Sequence, residues 1–442
     1  MMDANTIRNF IKDAGVVGAG GAGFPTHVKL AAAADLVIAN GAECEPLLRV
    51  DQQLMAAHAA DLLLGLSLAM QAVGAKRGIV ATKHHYHEAV AALEGAIHKT
   101  EGAALHLMDS YYPAGDEKSL IYEVCGRIVP TGKLPCDVGV VVCNVNTLVN
   151  IARASRGEPV TKKWVTVGGA VDTPATYEVP VGTSAKVLLQ WSGAPRSMAD
   201  YTILVGGPCM GYLTDDAAFP VTKTTGGLIV LPADHPYVRK RREEKRRQIA
   251  LAKAVCCQCS QCTQLCPRNA LGLNVQPHRA MQAVSTGNGK LLGDPNAVLA
   301  CCSCGLCTNY ACNFGLDPAG FMADLKAELG KQGLRPQPEE NPVADLAQPQ
   351  KKVPVARLVA RMGLKAYDVP APMMPAKAVR RVQLPLRQHI GAPARPIVCE
   401  GALVREGDLV AVIPEKALGA NLHASIAGRV VHVDGDGITI ET

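Results

Sequence analysis

The chain has 442 residues, 48% of them hydrophobic and 19% charged, enough for about three domains of roughly 100–200 residues with buried cores. Aromatic residues make up only 4% and the net charge is a mild +6, which argues against a base-stacking nucleic-acid surface. No run of roughly 18 uncharged apolar residues is present to span a membrane, and the opening "MMDANTIRNFIKDAG" lacks a secretory signal. A cytoplasmic setting is therefore expected, in which clustered cysteines serve as metal ligands rather than disulfides.

At the start of the chain, Ile7, Phe10, Ile11 and Ala14 recur at helical spacing, which predicts an amphipathic helix ended by Gly15. The next stretch is "GAGGAGFPTHVKL" (Gly18–Leu30), in which Gly18, Gly20 and Gly23 satisfy G-x-G-x-x-G. A dinucleotide fingerprint needs a strand directly before its first glycine. Here a helix precedes, although Glu43 supplies the acidic residue about 20 positions on. Pro25 suits a first helical position, and "THVKLAAAA" is expected to continue that helix. What remains is a glycine loop whose amides and following helix start can hold a phosphate.

Three further motifs follow in order: "DLVIANGAECEP", "YYPAGDEKSL" (Tyr111–Leu120) and "CNVNTLVNI" (Cys143–Ile151). Together with the glycine loop they resemble the flavin- and NADH-binding fold of the complex I flavoprotein subunit and the Rnf complex C subunit. The expected first domain is thus an α/β FMN/NADH-binding domain over 1–155. The resemblance implies that Gly18, Gly20, Gly21 and Gly23 line FMN and that Lys29 approaches its phosphate. It places Asn40 and Glu43 near the ring or ribityl chain, and Asn144 and Thr147 at the flavin phosphate. Glu45, Asp116 and Glu117 fall on the NADH side. Ala19 departs from the arginine of the complex I protein. His84, His85 and His87 in "KHHYHEA" offer imidazoles to a metal, but a solvated helix start is the expected reading.

Residues 156–232 read as short strands broken by Gly-Gly turns, resembling the soluble-ligand-binding β-grasp (SLBB) module of the Rnf C subunit. No acid, base or metal constellation marks this module, and Cys209 reads as a small buried residue. "RKRREEKRRQ" (Arg239–Gln248) is expected to be a solvated helix with i,i+4 ion pairs.

Ten of the 16 cysteines fall between residues 256 and 312. Cys256, Cys259, Cys262 and Cys266 follow C-x2-C-x2-C-x3-C with Pro267 next, the ligand run of bacterial-type 4Fe–4S ferredoxins. A structural zinc site needs no such triple spacing. Cys301, Cys304 and Cys307 repeat the triple, and Cys312 follows after four residues rather than three, with Asn313 where proline is usual. On the exchanged pattern, Cys312 joins Cys256, Cys259 and Cys262, while Cys266 joins Cys301, Cys304 and Cys307. Cys257 and Cys302 fit no ligand register and are expected to pack around the site. The long spacing between the two runs predicts a helical two-cluster ferredoxin domain over 233–330. One-electron clusters call for a converter from a two-electron donor, and a flavin is the common one.

Residues 331–380 are rich in proline, glutamine and glutamate and read as a linker, with a short helix in "PVARLVARMGL" (Pro354–Leu364) expected to pack within the chain. Residues 381–442 resemble the barrel-sandwich hybrid of lipoyl and biotinyl carriers. Lys416 stands near the carrier-lysine position without the usual neighbours, so modification is not expected.

The module order is flavin, β-grasp, ferredoxin, linker and barrel-sandwich. The last module stands first in the Rnf C subunit. This order and the "CC" doublets resemble the cobalamin reductases of propanediol-utilisation microcompartments. The resemblance implies that NADH reduces FMN, that two 4Fe–4S clusters carry single electrons, and that cobalamin is reduced towards cob(I)alamin. Implied partners are a corrinoid adenosyltransferase, microcompartment shell proteins and, in a homo-oligomer, further copies of the chain. A nucleic acid is not expected, nor is a general acid or base. Two other readings stay open: an Rnf-type NADH:ferredoxin electron-transport subunit, and a microcompartment electron-relay or scaffold protein without NADH activity.

Overall fold

The computed structural model describes residues 2–195, 197–375 and 377–442. Its N-terminal part is built on four parallel strands: β1 (Leu36–Gly41), β2 (Arg77–Lys83), β3 (Ala103–Met108) and β4 (Val140–Asn144), in the order β3-β2-β1-β4. Parallel strands covered on both faces need nearly continuous apolar runs, and "LVIANG" and "VVVCN" supply them. In these two strands only Asn40 and Asn144 stand partly open. Helices Ala4–Asp13, Ala59–Val73 and Val145–Ala154 belong to the core on one face, and Glu117–Cys125 to that on the other.

The first helix forms where the apolar spacing predicts it. The Asp3 carboxylate accepts from the amides of Asn5 and Thr6 at its start, and Gly15 follows its end at φ 66°, a left-handed conformation that suits glycine. The helix after the glycine loop is shorter than expected and covers only Thr26–Lys29. The reason is tertiary. Leu30 is buried, and the amides of Ala34 and Asp35 bond to the carbonyls of Val73 and Gly139, drawing the chain out of its helix and into β1.

The second unit has β-grasp topology. Lys162–Gly169 and Ala175–Pro180 form a hairpin, helix Ala185–Trp191 crosses over, and Gly227–Pro232 returns parallel to the first strand and antiparallel to Tyr201–Val205. Cys209 is buried, as expected. The basic run beyond it is not one helix. It divides into Pro236–Arg241 and the start of Lys245–Val255, because Arg242 turns back to Thr202 (2.8 Å) and Asp215 of the β-grasp unit. Arg247 and Glu243 do form an i,i+4 pair.

Three helices, Lys245–Val255, Pro277–Thr286 and Pro318–Lys331, supply the scaffold around the cysteine loops. Residues 331–380, poor in regular structure, are nonetheless bound to every preceding unit. Glu339 accepts from Thr131 N (2.8 Å), Thr131 Oγ1 (2.6 Å) and Asn274 N (3.0 Å). Val353–Pro354 pairs with Tyr111–Tyr112, helix Val355–Arg361 buries Leu358 and Val359, and Met373–Met374 extends the β-grasp sheet. Proline-rich composition predicts missing helices and strands. It says nothing about side-chain and edge contacts.

The C-terminal part packs a four-stranded sheet (Arg381–Pro385, Gly437–Glu441, Gly428–Val433, Leu403–Val404) against a three-stranded one (Arg395–Pro396, Leu409–Val412, Leu422–His423) over one apolar core. Among the described residues no single helix is long and apolar enough to cross a membrane.

Candidate functional site

The strand order reverses direction between β1 and β4, the switch point at which open α/β sheets take ligands beyond the carboxyl ends of their strands. The register sets Asn40 directly opposite Asn144 at that edge. The Asn144 side chain caps helix Val145–Ala154 by accepting from Asn146 N (2.9 Å) and donates to Asp51 Oδ2 (2.8 Å). Thr147 Oγ1, one turn on, accepts from Ala19 N at 2.9 Å, which fastens the glycine loop to the start of the same helix.

Within the loop the glycines differ in purpose. A Cβ on Gly20 would lie 2.6 Å from Asn144 Nδ2, whereas Gly21 is exposed with nothing within 4 Å. Gly23, at φ 74°, packs against Thr224 and residues 388–389 of the C-terminal unit. Gly18 N donates to Phe24 O and closes the loop. Lys29 Nζ donates to Val142 O (2.9 Å) and lies 3.4 Å from Glu117 Oε1. Asn40 Nδ2 donates to Gly115 O (3.1 Å).

Glu43, at φ 34°, accepts from the amides of Asp51 (2.7 Å) and Gln52 (3.2 Å). Burial and the nearby Asp51 carboxylate push Glu43 up, and burial raises Asp51 too. Lys163 is buried, donates to Ala19 O at 3.0 Å and is pulled down to about 8 by desolvation. Among the described residues Asn146 Nδ2 is buried at the helix start with no partner. Free loop amides, a helix N-terminus and an orphaned donor fit an anionic cofactor lying along the loop.

The three acidic residues expected on the nicotinamide side separate. Glu117 stays beside Lys29. Glu45 is turned towards the β-grasp unit, accepting from Cys209 N (2.9 Å) and Tyr112 OH (3.1 Å). Asp116 caps helix Glu117–Cys125 through Ser119 N and meets Arg268 Nη2 of the ferredoxin unit at 2.7 Å. Asp51, Lys163, Tyr112 and Arg268 were not singled out by sequence. Tyr112 lies within "YYPAGDEKSL" and Arg268 directly after Cys266-Pro267, the two positional signals available for them.

The two cysteine loops approach one another, with Cys312 of the second at a cavity of the first. Cys256, Cys257, Cys259, Cys262 and Cys312 line one cavity with His278, Met281 and Phe314. The Cys262 thiol is pushed up to about 12 by burial and by Cys312, Cys259 and Cys256. Cys307 is raised likewise by burial and by Cys301, Cys266 and Cys262, and Cys304 faces Cys302, Cys266 and Cys307. Both loops take left-handed backbone at equivalent places, Gln258 and Ser260 in one, Ser303 and Gly305 in the other.

Among the described residues, no three His, Cys, Asp or Glu side chains converge tightly enough for a single metal ion. Four spaced thiols around a chamber fit a four-iron cluster, whose thiolates are spread over its corners. Cys257 lines the same cavity while remaining exposed, and Cys302 lies against Cys304 and Arg268. His84, His85 and His87 form no metal group, and His87 opens helix His87–Ile97.

Three family models match in chain order: a Nuo51 FMN-binding domain over residues 11–153, a 4Fe-4S dicluster domain over 255–317 and an RnfC barrel sandwich hybrid domain over 361–440. The chain is 43% identical over 441 residues to the cobalamin reductase PduS of Salmonella typhimurium, covering 99% of this chain and 97% of that protein. It is 42% identical over 442 residues to the cobalamin reductase PduS of Citrobacter freundii. The C subunit of the Na+-translocating ferredoxin:NAD+ oxidoreductase complex of Acetobacterium woodii is 36% identical over 280 residues, 62% of this chain and 60% of that protein. A solved structure of an NAD+-reducing NiFe hydrogenase shares the fold at TM-score 0.52 and 23% identity, over 75% of this chain and 62% of that one.

Proposed function

The chain belongs to the family of the cobalamin reductase PduS, and on that premise we propose that it passes electrons from NADH, through FMN and two 4Fe–4S clusters, to cobalamin. Identity over nearly the whole chain, through all modules and in the same order, is the observation that carries this reading. When bound, FMN would supply the conversion from a two-electron hydride donor to one-electron carriers. The chain's own residues bind and place these groups.

In this reading Gly18, Gly20, Gly21 and Gly23 keep the loop free of side chains so that its amides reach the cofactor. Thr147 and Asn144 fix the loop to the helix start. Lys29 and Asn40 form the crevice wall, and Glu117 is the acidic residue facing the nicotinamide, with Glu45 and Asp116 shaping the wall behind it. Glu43 lies at the crevice floor. Cys256, Cys259, Cys262 and Cys312 hold one cluster, and Cys266, Cys301, Cys304 and Cys307 the other. The functional divisions are 1–155, 156–232, 233–330, 331–380 and 381–442. A corrinoid adenosyltransferase consuming cob(I)alamin and the shell of a propanediol-utilisation microcompartment are the proposed partner and location.

An anaerobic assay tests the reading. NADH is expected to bleach the flavin of the purified holoprotein, and cob(III)alamin is then expected to be reduced. Bleaching with reduction of ferredoxin but not of cobalamin would favour the Rnf-type alternative, which the partial similarity to the Acetobacterium woodii protein keeps in view. Absence of bleaching would favour a relay without NADH chemistry. Glu117→Ala is expected to raise the NADH concentration needed for bleaching while leaving FMN content unchanged.

A further inference from the structure

Building on the electron-transfer reading, we infer that the two cysteine sets are ordered. Cys266, Cys301, Cys304 and Cys307 form the inner set, coupled to the flavin crevice through Arg268 and Tyr112. Cys256, Cys259, Cys262 and Cys312 form the outer set, from which electrons leave.

Two side-chain bridges carry the inner assignment. Arg268 stands two residues after Cys266, and its Nη2 lies 2.7 Å from Asp116 Oδ1, with the two side chains only 11% and 9% exposed. Asp116 follows Gly115, whose carbonyl takes the Asn40 amide at the crevice edge. On its other side the Arg268 guanidinium faces the Cys302 thiol of the second cysteine loop. Among the described residues its Nε is buried with no partner. A buried guanidinium N–H without an acceptor is costly. The guanidinium thus sits between Asp116 of the flavin unit and the second cysteine loop.

The second bridge is Tyr112, 1% exposed, whose hydroxyl lies 2.7 Å from Cys304 O and 3.1 Å from Glu45 Oε1. Arg268 and Tyr112 are positioning residues. They hold the second cysteine loop against the flavin unit, and an N–H directed at sulfur also tunes the potential of what that loop binds.

The outer set has the opposite surroundings. Cys257 and Cys259 are exposed, and Phe314, lining the same cavity, is 51% exposed. Among the described residues no side chain of the flavin unit bonds to this loop. The side-chain bond to Cys312 O comes from Arg361 at 3.3 Å. Electron transfer weakens steeply with distance, so the set tied to the flavin unit receives, and the set that includes the exposed Cys259 delivers. Each transfer moves one electron and makes no bond. NADH yields NAD+, a proton and two electrons, which take one cob(III)alamin through cob(II)alamin to cob(I)alamin.

The test uses anaerobic full-length holoprotein in which the bound flavin is photoreduced with EDTA as donor, followed by electron paramagnetic resonance and iron analysis. In Cys259→Ala the remaining cluster signal is expected to develop on flavin photoreduction as it does in the parent protein. In Cys304→Ala the remaining cluster is expected to be reducible by dithionite but to lose flavin-driven reduction. The reverse pattern, or equal reduction in both variants, overturns the order.

Should Cys304→Ala fail to fold, Arg268→Lys and Arg268→Met decide the matter in redox titrations. The inner signal alone is expected to change midpoint and lineshape, with lysine closer to the parent. A change confined to the Cys259-dependent signal, or in neither, overturns the assignment. Because photoreduction bypasses NADH, a protein that keeps this order yet is not bleached by NADH would refute the proposed activity without refuting the order.

Discussion

Thr147 shows how much of the flavin crevice rests on single hydrogen bonds. Its hydroxyl accepts from the buried amide of Ala19 at 2.9 Å, and a valine of the same shape leaves that amide without an acceptor. The loss is about 1–3 kcal/mol. Thr147→Val is accordingly expected to weaken FMN binding by about tenfold or more, read by fluorescence titration of flavin-free protein. An unchanged dissociation constant would show that the loop is held from elsewhere. Gly20 is a complementary case, since its lack of a side chain makes room for Asn144 and hence for the Asn144–Asp51 bond. The glycines were legible because spacing alone singles them out. Asp51 and Lys163 were not, because nothing in an isolated acid or lysine records that the fold will bury it under a loop.

At the scale of elements, the proposed ligand sets have the two cysteine loops exchange their fourth ligand. Cys312, which departs from the usual spacing, ends the π-helical turn Cys307–Ala311 and reaches the first loop's cavity. If the exchange holds, Cys312→Ala and Cys256→Ala abolish the same paramagnetic signal with about half the iron, and Cys266→Ala and Cys301→Ala abolish the other. Signals lost in the pairs Cys256 with Cys266 and Cys301 with Cys312 would show unexchanged ligation. The strap over 331–380 makes a second prediction at this scale. Glu339→Ala removes three hydrogen bonds that join the flavin unit, the ferredoxin unit and the strap. At about 1 kcal/mol for each, the first thermal transition is expected to fall by several degrees. A transition at the parent temperature would mean the strap is held by its apolar helix and strand pairing alone.

Across the whole molecule, the C-terminal unit closes on the glycine loop through a polar junction. Lys223 is buried and donates to Gly15 O (2.7 Å) and Asn421 O (2.9 Å), and burial draws it down to about 7. His423 is buried nearby with Nδ1 unpartnered, and burial and Lys223 hold it down to about 3. The unfolded chain protonates this histidine near its ordinary value of 6.5, the folded chain only near 3. The unfolded state therefore binds more protons between these values, and stability falls as the pH drops through that window. The stability difference between the parent holoprotein and His423→Gln, from urea unfolding at about pH 7.5 to 5.5, should shrink by up to about 1.4 kcal/mol per pH unit below about 6.5, because the opposite contribution of the raised Glu43 and Asp51 carboxyls is common to both proteins. A slope unaltered by the substitution would place its origin elsewhere. The same closure separates what the chain's sequence determines from what its folding decides. Ligand chemistry is local: C-x2-C-x2-C spacing, a glycine loop between helices and apolar strand runs each carry their meaning within a dozen residues, so cofactor types and module order were readable directly. Which acid faces the crevice, which cysteine set lies beside it and what the proline-rich strap holds together depend on residues distant in sequence. Arg268 meets Asp116, Tyr112 meets Cys304 and Lys223 meets Gly15 only after folding, because burial and pairing of polar groups are properties of the packed chain.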